Sequence, residues 1–280
     1  MKTLSEALDT VKNTGGAGSS LRKHLSAVGI TEWSHFDREH LYEFKDHLEG
    51  AVAASTARTL MLTLKAFLRR YKDCVTLPDD WGEIASAKGD KPMRTYLTPE
   101  EITRFAGVQT NTPKEELVKV ECLLEAYTGA RISDIMTFTA ENVHGDELSY
   151  VSQKTKVAAT IPISPKVLRW INYAQSHRQD EPATPNRCMI IRKLCERAGI
   201  DSPTTVFSAG VTKKGPKWQF VTSHTFRISF VTNLQQSGMD LVSISRLSGH
   251  RNVAMTERYC APAQPKLNLA ARLVLGLNDE

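Results

Sequence analysis

Glu147-Leu-Ser-Tyr-Val-Ser-Gln-Lys-Thr-Lys-Val-Ala-Ala-Thr-Ile-Pro-Ile163 is the stretch on which the fold class turns. Leu148, Tyr150 and Val151 precede a polar turn, Gln153-Lys154-Thr155-Lys156. Val157, Ala159 and Ile161 then alternate up to Pro162. Apolar residues at every second position on both sides of a polar turn predict a hairpin or small sheet. It is the one convincing β signal in the chain. Almost everything around it repeats with the helical period, so the expected fold is mainly α with a small β-sheet.

On the C-terminal side helices resume at Pro165. The pattern predicts them over 184–198, 223–237, 240–248 and 252–259, with an amphipathic piece near 266–276. On the N-terminal side, Thr98-Pro99-Glu100-Glu101 is a capping-box signature, with Thr98 as N-cap, Pro99 at N1 and Glu101 at N3. Residues 86–96, Ser-Ala-Lys-Gly-Asp-Lys-Pro-Met-Arg-Thr-Tyr, are poor in aliphatics and read as a linker. The first ninety residues read as a bundle of about four helices. Leu4, Leu8 and Val11 share one spacing, ended by Gly15, Gly16 and Gly18. A short helix from Leu21 to Val28 closes at Gly29, and Asp37 caps one carrying Leu41, Phe44 and Leu48, ended by Gly50. A fourth, from Ser55 to Tyr71, has Leu60, Leu64, Phe67 and Leu68 on one face and Arg58, Lys65, Arg69 and Lys72 on the other. The expected organisation is a helical domain at 1–85, a linker at 86–97 and a second domain at 98–280 with a tail helix at 264–280.

Composition narrows the classes. A chain of 280 residues that is 41% hydrophobic can build packed cores, and 24% charged residues is ordinary for globular proteins. The formal net charge is +5. Residues 1–95 hold 14 Lys/Arg against 13 Asp/Glu, and residues 96–280 hold 22 against 18. A nucleic-acid surface would therefore have to come from local clustering. Cys74, Cys122, Cys188, Cys195 and Cys260 include no Cys-x-x-Cys spacing, so free thiols are expected rather than a disulfide framework or a zinc site. No charged-then-apolar leader stands at the N-terminus, and no apolar run approaches the ~20 residues of a membrane span. A cytoplasmic protein without membrane contact is expected.

Three segments place polar residues where a core pattern would otherwise run: Tyr127-Thr-Gly-Ala-Arg131-Ile-Ser-Asp134-Ile, Ser223-His224-Thr-Phe-Arg227-Ile-Ser-Phe, and Leu247-Ser-Gly-His250-Arg-Asn-Val-Ala-Met-Thr-Glu-Arg-Tyr259. His224 and Arg227, three apart, share a helix face just after Ser223, a natural N-cap. Arg131 follows Gly129 and opens a short helix. Two guanidinium forks can hold one phosphate bidentately, and a helix start adds N–H groups and positive dipole. Taken singly each element is commonplace. Arg131 could serve only an ion pair with Asp134 or Glu125, His224 could be a capped core histidine, and Tyr259 could be a packed aromatic.

In combination these elements resemble the tyrosine recombinase family. Gly-Ala-Arg131-Ile-Ser-Asp134-Ile is similar to its first arginine box and His224-x-x-Arg227 to its His-x-x-Arg box. Gly249-His250 followed nine residues later by Tyr259 resembles its Gly-His-to-tyrosine spacing, and Lys154, eight residues before Pro162, stands where the family places a hairpin lysine. The resemblance is clear over about 98–260, weaker over 1–90, and nearer to integrases of mobile elements than to eukaryotic topoisomerases. Two departures stand out: Asp134 where the family often has Glu, and Ser248 in place of the leucine of a common Leu-Gly-His.

The resemblance implies a two-domain clamp on double-stranded DNA, a helical core-binding domain plus a mixed α/β catalytic domain. It implies Tyr259 as nucleophile, His224 as proton acceptor, Arg131, Arg227 and His250 as phosphate holders and Lys154 as the acid for the departing 5′ oxygen. The product would be a 3′-phosphotyrosyl link, formed without metal or cofactor. Candidate DNA contacts are Arg58, Lys65, Arg69, Lys72, Lys88, Lys91, Arg94, Lys213, Lys214 and Lys217. A monomer or weak oligomer that becomes a homotetramer on two DNA sites is expected. A type IB topoisomerase-like relaxing enzyme, a DNA-binding protein without catalysis, and an unrelated helical phosphate-binding protein are the competing readings. His24, His35, His40 and His47 form no ligand spacing and are read as surface residues.

Overall fold

A computed structural model describes residues 2–11, 17–87, 94–208 and 211–257 of the chain. Lys88, Lys91, Tyr259 and the expected tail helix lie outside these residues. The chain divides into two compact units, Met1–Met93 with Phe207–Lys213, and Arg94–Val206 with Lys214–Glu280.

The first unit is helical: α1 (Leu4–Asp9), α2 (Ala17–Ala27), α3 (Arg38–Ala51), α4 (Ala54–Arg70) and the single turn α5 (Trp81–Ile84). Its core holds Leu4, Leu8, Leu21, Leu25, Leu41, Phe44 and Leu48 together with Leu60, Leu64, Phe67 and Leu68 of α4. Asp37 caps α3 by accepting from the His40 N–H at 2.9 Å. Gly29 closes the second helical segment at φ +77°, a conformation that favours glycine. Two expectations need correction. Gly18 lies within the first turn of α2 rather than ending α1. His24 is buried, not at the surface, because its Nδ1 is 3.0 Å from His47 Nε2 and the pair fills the bundle where α2 and α3 meet.

In the second unit α6 (Pro99–Ala106) begins with the expected capping box of Thr98 and Glu101. α7 (Pro113–Thr128) follows, packed by α11 (Ser223–Gln236), α9 (Pro165–Ser176) and α10 (Thr184–Arg197). It is buried on most sides, from Leu117 through Leu124, which is why it shows almost no amphipathic stripe. α8 (Ile132–Ile135) is a single turn, and α12 (Leu241–Leu247) and α13 (Val253–Glu257) close the described chain. The sheet of β1 (Val143–His144), β2 (Glu147–Val151) and β3 (Ala158–Pro162) is antiparallel in the order β1-β2-β3. Leu148 pairs with Ile161 and Tyr150 with Ala159, so all four face the core, as the alternation predicts. A second sheet of β4 (Pro203–Ser208) and β5 (Val211–Pro216) was not expected, because Val211-Thr-Lys-Lys-Gly-Pro216 carries no alternation and reads as a loop. No described helix is long and apolar enough to cross a membrane.

A buried charge cluster sits beside the core. Arg187 of α10 is 2.6 Å from both Glu121 and Glu181. Burial raises the Glu125 carboxyl well above its usual range, against the pull of Arg187 and Arg227.

Candidate active site

Gly129 sets the first box. It ends α7 at φ +63°, and a Cβ there would run into the Phe230 ring of α11. The tight turn delivers Arg131 as the N-cap of α8. Arg131 Nη1 donates to Ser152 Oγ at 3.0 Å, and that hydroxyl donates to Asp134 Oδ2 at 3.0 Å. The other Asp134 oxygen accepts from the Gln153 N–H at 2.8 Å, the residue before Lys154. Asp134 is almost fully buried. Its shorter side chain is matched by Ser152, which bridges the 3.9 Å separating it from Arg131. Aspartate in place of glutamate therefore keeps both jobs, holding the arginine and pinning the hairpin turn.

The hairpin turn is held a second time, by Thr155 Oγ1 donating to the Gly249 carbonyl at 3.1 Å. Lys154 is exposed on that turn and Lys156 adopts φ +58°.

The second box opens α11. Thr222, not Ser223, is the N-cap, in a capping box with Thr225, and Ser223 becomes the first helical residue. Arg227 is fully buried and donates to two backbone carbonyls, those of Gly129 and, at 2.9 Å, Ser248. One side chain thus ties the first box to the third. The segment before α6 is stitched to the same helix, with Leu97 N–H donating to Ser229 Oγ at 2.8 Å and Gln236 to the Tyr96 hydroxyl at 2.8 Å. Arg94, just ahead of that segment, is near enough for its charge to act on His224.

In the third box Gly249 turns at φ +61° and His250 is buried. The His250 Nδ1 lies 3.0 Å from Ser248 Oγ and 2.9 Å from Thr256 Oγ1. Ser248, the second departure, therefore orients the histidine that follows it. Thr256 belongs to α13, three residues ahead of Tyr259.

Electrostatics bind the boxes into one site. Burial, then the positive charges of Arg94, Arg227, Arg131 and Lys154, lower His224 to about 4. Burial, then Arg227, Arg131 and His224, lower His250 to about 3. Both imidazoles are neutral at neutral pH, among fixed positive charges suited to an anion. Burial pushes the Tyr150 phenol of β2 up to about 12, with Arg227 opposing. Ser152, Thr155 and Thr256 have no signal in the sequence, and Ser248 stands out there only as a departure, because a lone hydroxyl residue has no spacing to betray its partner.

The outer candidates divide. Arg58, Arg69, Lys72, Arg94, Lys213 and Lys214 are exposed and Lys65 is half-buried. Lys217 is a correction. It is buried with its ammonium 2.5 Å from Glu101, over the Tyr96 ring, and so is already committed within its own unit.

Residues 95–265 match the model of the phage integrase family. Among curated proteins, the chain is 21% identical over 271 residues to tyrosine recombinase XerC of Vibrio parahaemolyticus, spanning 90% of this chain and 82% of that one. It is 28% identical over 206 residues to tyrosine recombinase XerA of Pyrococcus horikoshii, spanning 72% and 68%. Among solved structures, a lambda integrase (75-356) dimer bound to a COC' core site matches with TM-score 0.64 at 15% identity, over 93% of this chain and 96% of that one. The Tn1549 transposon integrase in complex with transposon right end DNA matches with TM-score 0.62 at 14% identity, over 98% and 100%. These two structures are likenesses of fold.

Proposed function

The chain belongs to the phage integrase family and is a tyrosine recombinase, cutting and rejoining DNA strands through a phosphotyrosyl intermediate; on that premise we propose how its own residues divide the work. Tyr259 is the nucleophile, and its oxygen bonds to the scissile phosphorus as the bond to the 5′ oxygen breaks. A phenol has a reference pKa near ~10 and needs a proton acceptor. His224, held neutral, takes that proton. Arg131 and Arg227 offset the charge that builds on the non-bridging oxygens, and neutral His250 donates a hydrogen bond to one of them. Lys154 on the hairpin turn gives a proton to the departing 5′ oxygen. Phosphodiester is exchanged for phosphodiester, so the free 5′ hydroxyl of another strand can reverse the step and restore continuous DNA.

The observation that supports this most is the joining of the three boxes by Arg227, with both histidines held neutral among positive charges. The Arg58, Lys65, Arg69 and Lys72 face of the helical unit is proposed as one DNA contact and Arg94 as another, with Lys213 and Lys214 on β5 as a third. The assembly proposed on DNA is a homotetramer joining two sites. Both curated relatives are recombinases, which favours strand exchange over a type IB topoisomerase-like relaxing activity.

Covalent trapping tests the reading. Wild type on nicked duplex sites is expected to give a protease-sensitive, slow-migrating DNA band on a denaturing gel, and Tyr259→Phe none. Binding without a band from either protein would demote the assignment of Tyr259.

A further inference from the structure

We propose that Leu62, at the centre of the outer face of α4, contacts a thymine methyl group in the major groove of the recombination site and so sets part of the DNA specificity. The inference rests on the reading above that the helical unit binds duplex DNA.

Leu62 is 57% exposed in a helix whose other large apolar residues are buried. A lone exposed leucine is ordinary, so its surroundings decide the matter. At about 100° per residue, Ser55, Arg58, Ala66 and Arg69 fall within roughly 40° of it around the helix, and Thr59 and Lys65 within roughly 60°. The basic residues lie on one side of Leu62 and the small ones on the other. The Thr59 hydroxyl donates to Ser55 O at 2.9 Å and that of Thr63 to Thr59 O at 2.9 Å, so both are spent on the helix itself. Beside the Ser55 hydroxyl, this face offers mainly methyl and methylene surface, with guanidinium and ammonium groups along one side. Small neighbours on one side let the helix approach a base edge closely, and the long basic side chains on the other reach the phosphates along that wall of the groove.

Charge chooses the face and the partner. α4 contains no Asp or Glu, and among the described residues Arg58, Lys65 and Arg69 enter no ion pair. The outer side of α3 shows the opposite sign, with Glu39, Glu43, Asp46 and Glu49 all exposed. Within this unit a polyanion is drawn to α4 and repelled from α3. α4 spans about 25 Å at its 17 residues, enough to cross a groove about 12 Å wide. In that groove thymine alone of the four bases carries a methyl group, the natural partner of an apolar side chain among charges.

The test uses the full chain. Wild type and Leu62→Ala are each used to select binding sites from a randomised duplex pool. The wild-type motif is expected to contain a fixed thymine that the variant no longer fixes, with the other positions unchanged. Replacing that thymine by uracil, which removes only the methyl, is then expected to weaken wild type about fourfold, the worth of one buried methyl group, and to leave Leu62→Ala unaffected. Identical motifs from both proteins, or equal sensitivity to uracil, would overturn the role of Leu62 while leaving the recombinase reading intact. No enriched sequence with either protein would overturn both the role of Leu62 and the reading that the helical unit contacts the DNA site.

Discussion

Asp134 and Ser152 hold their neighbours so directly that single substitutions should separate support from chemistry. Ser152→Ala breaks the bridge that positions Arg131 on Asp134 while leaving every side chain proposed to meet the phosphate in place. A hydrogen bond to a charged group is worth about 1.5–3 kcal/mol, so cleavage should slow roughly ten- to a hundredfold while DNA affinity changes little. A gel-shift titration alongside single-turnover cleavage checks both halves. The histidines make a prediction about pH. Their folded-state values, about 4 for His224 and about 3 for His250, lie below the unfolded 6.5. Above pH 6.5 both are neutral in either state and their burial carries no pH-dependent penalty. As pH falls below 6.5 the unfolded chain takes up protons that the folded chain refuses, so stability drops by up to about 1.4 kcal/mol per pH unit for each. Urea melts between pH 7.5 and 4.5 should show the fall, and His224→Gln should roughly halve it, leaving the share of His250.

Elements show their own sensitivities. Gly129 ends α7 in the left-handed region with the Phe230 ring against it, so Gly129→Ala meets both a backbone and a steric penalty. The backbone share alone is about 1–2 kcal/mol, and a lowered denaturation midpoint with an unchanged denaturant slope is the expected signature. Arg187 joins α10 to α7 through Glu121 and to the preceding loop through Glu181. Removing one partner of a buried ion pair typically costs about 3–5 kcal/mol. Arg187→Met should therefore destabilise strongly, and Arg187→Met with Glu121→Leu should recover much of the loss. A double variant no better than the single would mean the cluster matters for something other than compensating charge. The hairpin of β2 and β3 was legible because its alternation matches its two-sided environment, whereas β4 and β5 expose most of β5 and leave no apolar period to read.

For the whole molecule, the proposed basic contacts make binding electrostatic. Affinity for a duplex site should fall steeply between low and moderate salt, and each removed phosphate contact should lower the slope by about one. Deleting residues 264–280 should weaken assembly of two sites into one complex, scored by native gel, while leaving the thermal melt of the remaining chain in place. What the sequence by itself determined was local. Capping at Asp37 and Thr98, the α4 stripe and the presence of the hairpin follow from period and backbone chemistry over a few residues. The identity of the three boxes was legible for the same reason, since each is a short run with its own spacing. Tertiary structure alone decided how they meet. Arg227 reaching Gly129 and Ser248, Thr155 reaching Gly249, and Leu97 reaching Ser229 join residues 21 to 132 positions apart. It also decided that Lys217 is buried against Glu101 rather than offered to DNA. A side-chain hydrogen bond or ion pair across such distances has no period in the sequence. Its partner is chosen by the packing of helices whose own signals end at their caps.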